Sequence, residues 1–158
     1  MYDPDDLLYA RNVVVWVKQN IQYEHDKEVY NKEERWSSGE MTVSIGKGDC
    51  DDMGIVVNDL LEEAHHPPIL CYGKYRASET LHVWTKMWIK GKWWILDPVQ
   101  ETEHIMISDT HDLYKYYDES KHIYPWLTVY YQFGIPLPIP RFRRYRIASI
   151  LDYPTDFP

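Results

Sequence analysis

The chain has 158 residues, 44% of them hydrophobic and 27% charged, which is typical of one globular domain and excludes a disordered protein. Its net charge of −8 argues against general nucleic-acid binding. No apolar stretch approaches the length of a membrane-spanning helix, and the acidic start "MYDPDD" differs from the basic start of a signal peptide. We therefore expect no nucleic-acid partner and no membrane segment.

Two amphipathic helices are predicted in the first half of the chain. The first begins with the capping and first-turn residues of "DPDD" and carries apolar residues at helical spacing as far as Ile21. The second begins near Asp49, and "HHPP" at 65–68 stops it because proline cannot continue a helix. Between them, polar residues at 24–38 predict a loop or short helix, and "TVSIGKG" (42–48) predicts a turn.

Three strands are predicted after the second helix, where the apolar pattern changes to a period of two. They are "ILCYGKY" (69–75), "LHVWTKMWI" (81–89) and "KWWILD" (92–97), and Lys90 with Gly91 forms a plausible tight turn. The order of two helices followed by three strands predicts an α+β fold with an antiparallel sheet.

The last third of the chain has weaker patterns. "THDLYKYYDESK" (110–121) predicts a short helix, and "LTVYYQF" (127–133) predicts a strand. Three prolines in "GIPLPIP" exclude a central strand, because proline cannot donate to a sheet ladder. We therefore predict one domain over 1–133, followed by an extended arm rich in proline and arginine over 134–158.

The predicted hairpin brings a histidine close to an aspartate. If Lys90 and Gly91 are the turn residues, Ile89 pairs with Lys92, and His82 and Asp97 become diagonal neighbours on one face of the sheet. An aspartate that holds one ring nitrogen of a histidine fixes its tautomer and stabilises the imidazolium. The alternative is that the two residues merely end their strands.

Cys50 lies in "GKGDCDD", at the predicted start of the second helix. Exposed N–H groups and the helix dipole in a first turn lower a thiol pKa and can hold an oxyanion, which predicts a nucleophile. The surrounding Asp49, Asp51 and Asp52 act in the opposite direction, so a protonated histidine or a cation has to counter them. The alternative is a small buried residue, which is our interpretation of Cys71.

Three motifs resemble those of the transglutaminase-like cysteine protease superfamily. "GKGDCDD" matches its G-x-G-D-C helix start, and "LHVWTKMWIKGKWWILDP" matches its H-x-W strand followed by W-x-x-L-D-P. "VVVWVKQNIQYEHD" and "RWSSGEM" resemble the upstream segments of bacterial transglutaminase-like cysteine proteinases and their phage relatives. The resemblance covers residues 7–99 and implies a papain-like fold, in which a helix carrying the cysteine packs on a sheet carrying the histidine and aspartate.

The resemblance also implies roles for the site residues. Cys50 corresponds to the nucleophile, His82 to the general base and acid, and Asp97 to the residue that orients the histidine. Trp36 of "RWSSGEM" is a weaker candidate for a second oxyanion donor or a groove wall, and a packed core tryptophan is the alternative. The implied reaction is attack on an amide carbonyl, through a thioester.

The resemblance is also the reason to consider calcium binding. Some bacterial members of the superfamily bind calcium through acidic residues beside the cysteine, in a D-C-E-D context. Here the weak candidates are Asp49, Asp51 and Asp52, which otherwise act as helix caps. Calcium needs six to eight oxygens and this stretch supplies only some of them. We therefore expect no required cofactor and leave calcium open.

Three functions are compatible with the sequence. The leading hypothesis is a cysteine peptidase or amidase that acts on a protein or peptide substrate. The second is protein-glutamine acyl transfer, or crosslinking, on the same triad. The third is a non-catalytic phage assembly protein that forms homo-oligomers or assembly contacts through residues 134–158. We expect a cytoplasmic or virion-associated location, because no targeting segment is visible.

Overall fold

A computed structural model of the protein describes residues 6–25, 39–61, 68–76, 78–101, 106–109 and 117–123. The helices in these ranges are α1 (Asp6–Asn20), α2 (Gly39–Ile45) and α3 (Cys50–Leu61). The strands are β1 (Gln22–Tyr23), β2 (Lys47–Gly48), β3 (Ile69–Tyr75), β4 (Thr80–Ile89), β5 (Lys92–Leu96), β6 (Ile107–Asp109) and β7 (Tyr117–Ile123). None of the described helices is long and apolar enough to cross a membrane.

Five strands form one antiparallel sheet in the order β6-β5-β4-β3-β7, and the two-residue strands β1 and β2 form a separate parallel pair. Both α1 and α3 pack on the large sheet. The predicted α+β class is therefore confirmed, including the packing of the helix that begins with Cys50 on an antiparallel sheet.

The β4–β5 hairpin has the predicted register. Ile89 pairs with Lys92, and the ladder continues in step to Thr85 opposite Leu96. The two turn residues both adopt the left-handed conformation, with φ of 50° at Lys90 and 83° at Gly91. Such turns match the right-handed twist of the flanking strands. Asp97 therefore follows directly after the last paired residue of β5.

The larger core lies between the helices and one face of the sheet. Gly54 lets α3 lie close to this face, because a Cβ at that position would lie 3.0 Å from Leu70 Cδ1 and 3.2 Å from Val83 Cγ1. The Thr85 hydroxyl donates to the Gly54 carbonyl at 3.2 Å. Close packing along α3 therefore holds its first residue, Cys50, near the start of β4.

The other face of the sheet carries a smaller core. Cys71, Trp84, Ile95 and Tyr117 are buried together there. Because side chains alternate along a strand, His82 points to the same face as Trp84. The predicted packing role of Cys71 is confirmed, since this side chain is fully buried.

The segment predicted as a turn at 42–48 is partly helical. Gly39–Ile45 form α2, and the turn begins only at Gly46, whose φ is 74°. A helix of seven residues has little intrinsic stability, particularly with β-branched residues. Its packing against α3, with Thr42 fully buried, supplies the stabilisation that the sequence pattern does not reveal.

The predicted short helix at 110–121 is wrong over its last five residues, which belong to β7. The unpaired edge of β3 accepts this segment as an antiparallel partner, and such pairing overrides local helix propensity. Residues 110–116, the predicted strand at 127–133 and the predicted arm at 134–158 lie outside the described residues. The domain boundary therefore stays a prediction.

We expect Gly73→Ala to destabilise the protein by about 3 kcal/mol, because overpacking against backbone has little room to relax. A Cβ at Gly73 would lie 2.0 Å from the Asp118 carbonyl oxygen of β7. Urea unfolding measures the loss. Gly91→Asn is the control, since Gly91 faces open space and asparagine tolerates its positive φ. Equal losses in both variants would contradict the close approach of β3 and β7.

Candidate active site

The centre of the site is the Asp97 carboxylate, which has no exposed surface. Its Oδ2 accepts hydrogen bonds from His82 Nε2 at 2.6 Å, Tyr117 Oη at 2.8 Å and Gln100 Nε2 at 2.9 Å. Its Oδ1 accepts from the backbone N–H of Val99 at 3.2 Å, an Asx-turn in the "DPVQ" segment. A buried carboxylate needs such partners, because leaving one unpaired is costly.

His82 lies in an aromatic environment beside this carboxylate. Its ring centroid is 6.0 Å from Trp84 with nearly parallel planes, 5.8 Å from Tyr75 and 6.3 Å from Tyr117. The side chain is buried, with 7% of the residue exposed. The hairpin prediction that His82 meets Asp97 is confirmed by their hydrogen bond.

Each member of this pair stabilises the charged form of the other. Burial opposes the imidazolium of His82, but Asp97 outweighs it, so the pKa of His82 lies above its usual 6.5. Burial likewise opposes the carboxylate, but His82 and the donors Gln100 and Tyr117 hold the pKa of Asp97 below its usual 3.8. Because Asp97 occupies Nε2, the remaining nitrogen, Nδ1, is the one available to act as a base.

Cys50 is the first residue of α3 and lies near the start of β4. A hydrogen bond from the backbone of Val83, the residue after His82, lowers the pKa of its thiol. Burial, Asp51 and Asp49 act in the opposite direction and prevail, so the thiol pKa is raised. The hydrogen bond from Val83 places Cys50 beside the residue that follows His82, and no hydrogen bond joins Cys50 to His82 among the described residues.

Asp52, one of the three aspartates expected to act as helix caps, caps the start of α3. Its carboxylate reaches back and accepts the backbone N–H of Asp49 at 3.4 Å. Gly48 leaves room for this side chain, since a Cβ there would lie 2.6 Å from Asp52 Cβ. Asp52 therefore has a structural role.

Asp49 and Asp51 flank Cys50 in the sequence, and their carboxylates lie near its thiol. One ligand atom from each of Asp49, Cys50 and Asp51 lies within 4.8 Å of the others. The Oδ1 atom of Asp49 is buried and accepts no hydrogen bond within the described residues. Tyr23 belongs to the same neighbourhood, because burial, Cys50 and the two carboxylates all raise the pKa of its phenol.

The structure brings some of the sequence candidates together and adds others. His82 and Asp97 are paired, and Cys50 lies beside the same strand, whereas Trp36 lies outside the described residues. Gln100 and Tyr117 were missed. "DPVQ" is typical of a turn, and a turn there would have indicated that Gln100 folds back toward Asp97. The position of Tyr117 depends on long-range strand pairing, which no local pattern indicates.

The chain belongs to the transglutaminase-like domain family, whose model matches residues 1–130. The match confirms the superfamily that the sequence motifs resemble. A comparison with curated proteins finds no significant match.

Solved structures of Legionella pneumophila LapG share the fold. The calcium-bound form has a TM-score of 0.61 at 17% identity, over 75% of this chain and 65% of the LapG chain. An EGTA-treated form gives the same TM-score and identity, over 63% of its chain. This chain therefore spans less than two thirds of the LapG structures that it matches.

We expect the His82–Asp97 pair to stabilise the protein most strongly between about pH 4 and pH 6.5. Above the usual Asp97 pKa of 3.8, the ionised carboxylate contributes fully to the free energy of unfolding. This contribution is lost as the pH falls through the lowered pKa of Asp97 in the folded protein. Below the usual His82 pKa of 6.5, the imidazolium contributes fully to the free energy of unfolding. This contribution is lost as the pH rises through the raised pKa of His82 in the folded protein. The free energy of unfolding, measured across pH for wild type and Asp97→Asn, should differ by about 3 kcal/mol in this window.

Asp118→Asn is the matched control for this experiment. Asp118 is exposed and pairs with Arg76 at 3.5 Å, an interaction of the kind that contributes little to stability. A difference between wild type and Asp97→Asn that does not vary with pH would contradict an ion pair at the site.

Proposed function

We propose that the protein is a thiol-dependent amide hydrolase, in practice a cysteine peptidase, with Cys50, His82 and Asp97 as its catalytic residues. The observation that carries this proposal is the buried His82 Nε2–Asp97 Oδ2 hydrogen bond of 2.6 Å, beside the helix that begins with Cys50. It leaves Nδ1 of the ring as the base. The resemblance to cysteine proteases supports the same assignment.

In the proposed reaction, neutral His82 takes the thiol proton on Nδ1 while Cys50 Sγ attacks the amide carbonyl carbon. The C–N bond then breaks, and the imidazolium donates its proton to the leaving amine. The resulting thioester is hydrolysed by water, which His82 deprotonates, and the product acid and the free thiol are released. Asp97 holds the ring and stabilises the imidazolium of both steps.

The oxyanion of the proposed intermediate is held by the first turn of α3. N–H groups at the start of a helix have no acceptor within the helix and point toward negative charge. The backbone N–H of Cys50 is our proposed donor. The same dipole favours a thiolate, but the raised thiol pKa means that proton transfer to His82, and not prior ionisation, supplies the nucleophile.

The surroundings of the site favour an extended peptide as substrate. Leu81, which precedes His82, is 67% exposed, and Tyr23, opposite Gly48 in the β1–β2 pair, is 44% exposed. Exposed apolar side chains next to a catalytic centre are suited to binding apolar side chains of a substrate. A protein or peptide is therefore the proposed substrate class.

We expect Cys50→Ala to abolish both peptide hydrolysis and covalent labelling by a thiol-reactive peptide probe, because the nucleophile is removed. Cys71→Ala is the matched control. It removes the chain's other cysteine, a fully buried one, and should retain labelling at the wild-type rate. Mass spectrometry of the intact protein measures the labelling, and a fluorogenic peptide library measures the hydrolysis.

The same assay separates hydrolysis from acyl transfer. With a labelled primary amine and a glutamine-containing protein present, a hydrolase releases acid, whereas a crosslinking enzyme incorporates the amine. Labelling of Cys50→Ala at the wild-type rate would contradict the role of Cys50. Incorporation of the amine without hydrolysis would assign the site to transfer.

We further propose that Asp49 and Asp51 form part of a calcium site. The donor set suits calcium, because carboxylate oxygens are its preferred ligands and Asp49 Oδ1 is buried without a hydrogen-bond partner among the described residues. The thiolate sulfur of Cys50 is not a calcium ligand. A bound cation would supply positive charge beside two carboxylates that otherwise oppose ionisation of the thiol.

We expect calcium to bind the EDTA-treated protein with saturable heat in calorimetry. Asp49→Asn and Asp51→Asn should each weaken binding about tenfold or more, since each removes a charged ligand. Asp109→Asn, at a carboxylate paired with Lys92 on the sheet, should leave binding unchanged. Absence of heat from wild type would remove this proposal without affecting the peptidase proposal.

A further inference from the structure

Tyr117 reaches the site from β7, at one edge of the sheet. Its phenol donates to Asp97 Oδ2 at 2.8 Å, and the residue is 4% exposed. Its ring centroid lies 4.9 Å from Trp84 and 5.1 Å from Tyr75. The reaction described above does not use this hydroxyl, which is nevertheless one of three donors on a single carboxylate oxygen.

The backbone fixes where this phenol lies. Tyr117 pairs with Tyr75 at the start of the β3–β7 ladder, and the register shifts between Tyr72 and Gly73. Gly73 admits the Asp118 carbonyl so closely that no side chain would fit between the strands. Main-chain packing therefore fixes the backbone position from which the Tyr117 phenol reaches Asp97.

We propose that Tyr117 is a positioning residue of the proposed triad, whose phenol holds the Asp97 carboxylate in the orientation that fixes the His82 ring. This inference rests on the proposed function for its catalytic consequence. Its structural content, a Tyr117–Asp97–His82 chain of hydrogen bonds, can be tested separately.

Geometry indicates how the phenol acts. Oδ2 accepts from His82, Tyr117 and Gln100, whereas Oδ1 accepts only from Val99 among the described residues. Three donors on one oxygen resist rotation of the carboxylate about its Cβ–Cγ bond. Burial and the negative charge of Asp97 also raise the pKa of Tyr117, so the phenol stays protonated and remains a donor.

Removing the hydroxyl has a directional consequence for His82. The phenol places the positive end of its dipole on the oxygen that binds His82, so its loss leaves more negative charge facing the ring. The other groups that act on His82 are the carboxylate of Asp49, from the start of α3, and the neutral Tyr75 of β3. Tyr117→Phe should therefore raise the pKa of His82 further and loosen the ring.

The test compares Tyr117→Phe with Tyr9→Phe. Both remove one phenol hydroxyl, but that of Tyr9 donates to the Leu60 carbonyl at 2.8 Å, between α1 and α3. We expect kcat/KM to fall about tenfold in Tyr117→Phe only, as for loss of a hydrogen bond to a charged group. NMR titration of the His82 ring should show a higher pKa in Tyr117→Phe and no change in Tyr9→Phe.

Each outcome decides the inference. If the His82 ring signals of Tyr117→Phe titrate as in wild type, Tyr117 only packs and the inference is wrong, whatever the change in kcat/KM. If wild type hydrolyses no peptide, the proposed function fails, but the ring titration still decides the role of Tyr117. If Tyr117→Phe does not fold, the Tyr117 hydroxyl proton of wild type is compared with that of Asp97→Asn, and an unchanged chemical shift overturns the inference.

Discussion

The need of one buried carboxylate, that of Asp97, for hydrogen-bond donors constrains most of the described fold. Asp97 has no exposed surface, and its donors come from β4, from the turn after β5 and from β7. The side chain of Gln100 is one of these donors. Its backbone carbonyl also accepts a hydrogen bond from the Lys18 ammonium of α1 at 2.7 Å. An unpaired buried charge costs several kcal/mol, so these segments have to assemble together for Asp97 to stay ionised. The charge state of this residue thus depends on the tertiary structure as a whole.

Local patterns predicted the part of the site that lies on neighbouring strands. A two-residue turn fixes the register of a hairpin, so the placement of His82 against Asp97 followed from Lys90 and Gly91 alone. The helix that begins with Cys50 was equally readable, because its start carries turn glycines and its apolar stripe has helical spacing. The resemblance to a known superfamily then connected helix and hairpin, which spacing alone cannot do.

Long-range contacts account for what the sequence did not predict. β7 is a strand only because β3 has an open edge, and the aromatic and charged residues of Tyr117–Lys121 suited a helix as well. The cap at the start of α3 is a local contact, because Asp52 accepts the backbone N–H of Asp49 only three residues earlier and Gly48 leaves room for its side chain. The strand β7, by contrast, depends on how closely two segments distant in sequence approach in the folded chain.

The acidic start of α3 also bears on how the protein withstands oxidation. Peroxides and disulfides react with thiolates and only slowly with thiols. Burial and the carboxylates of Asp51 and Asp49 raise the pKa of the Cys50 thiol, and burial also raises the pKa of Cys71. The charges that oppose ionisation of the Cys50 thiol therefore also lower its rate of conversion to sulfenic acid. The reduced thiol should consequently persist longer in an oxidising medium than a low-pKa cysteine at the same position.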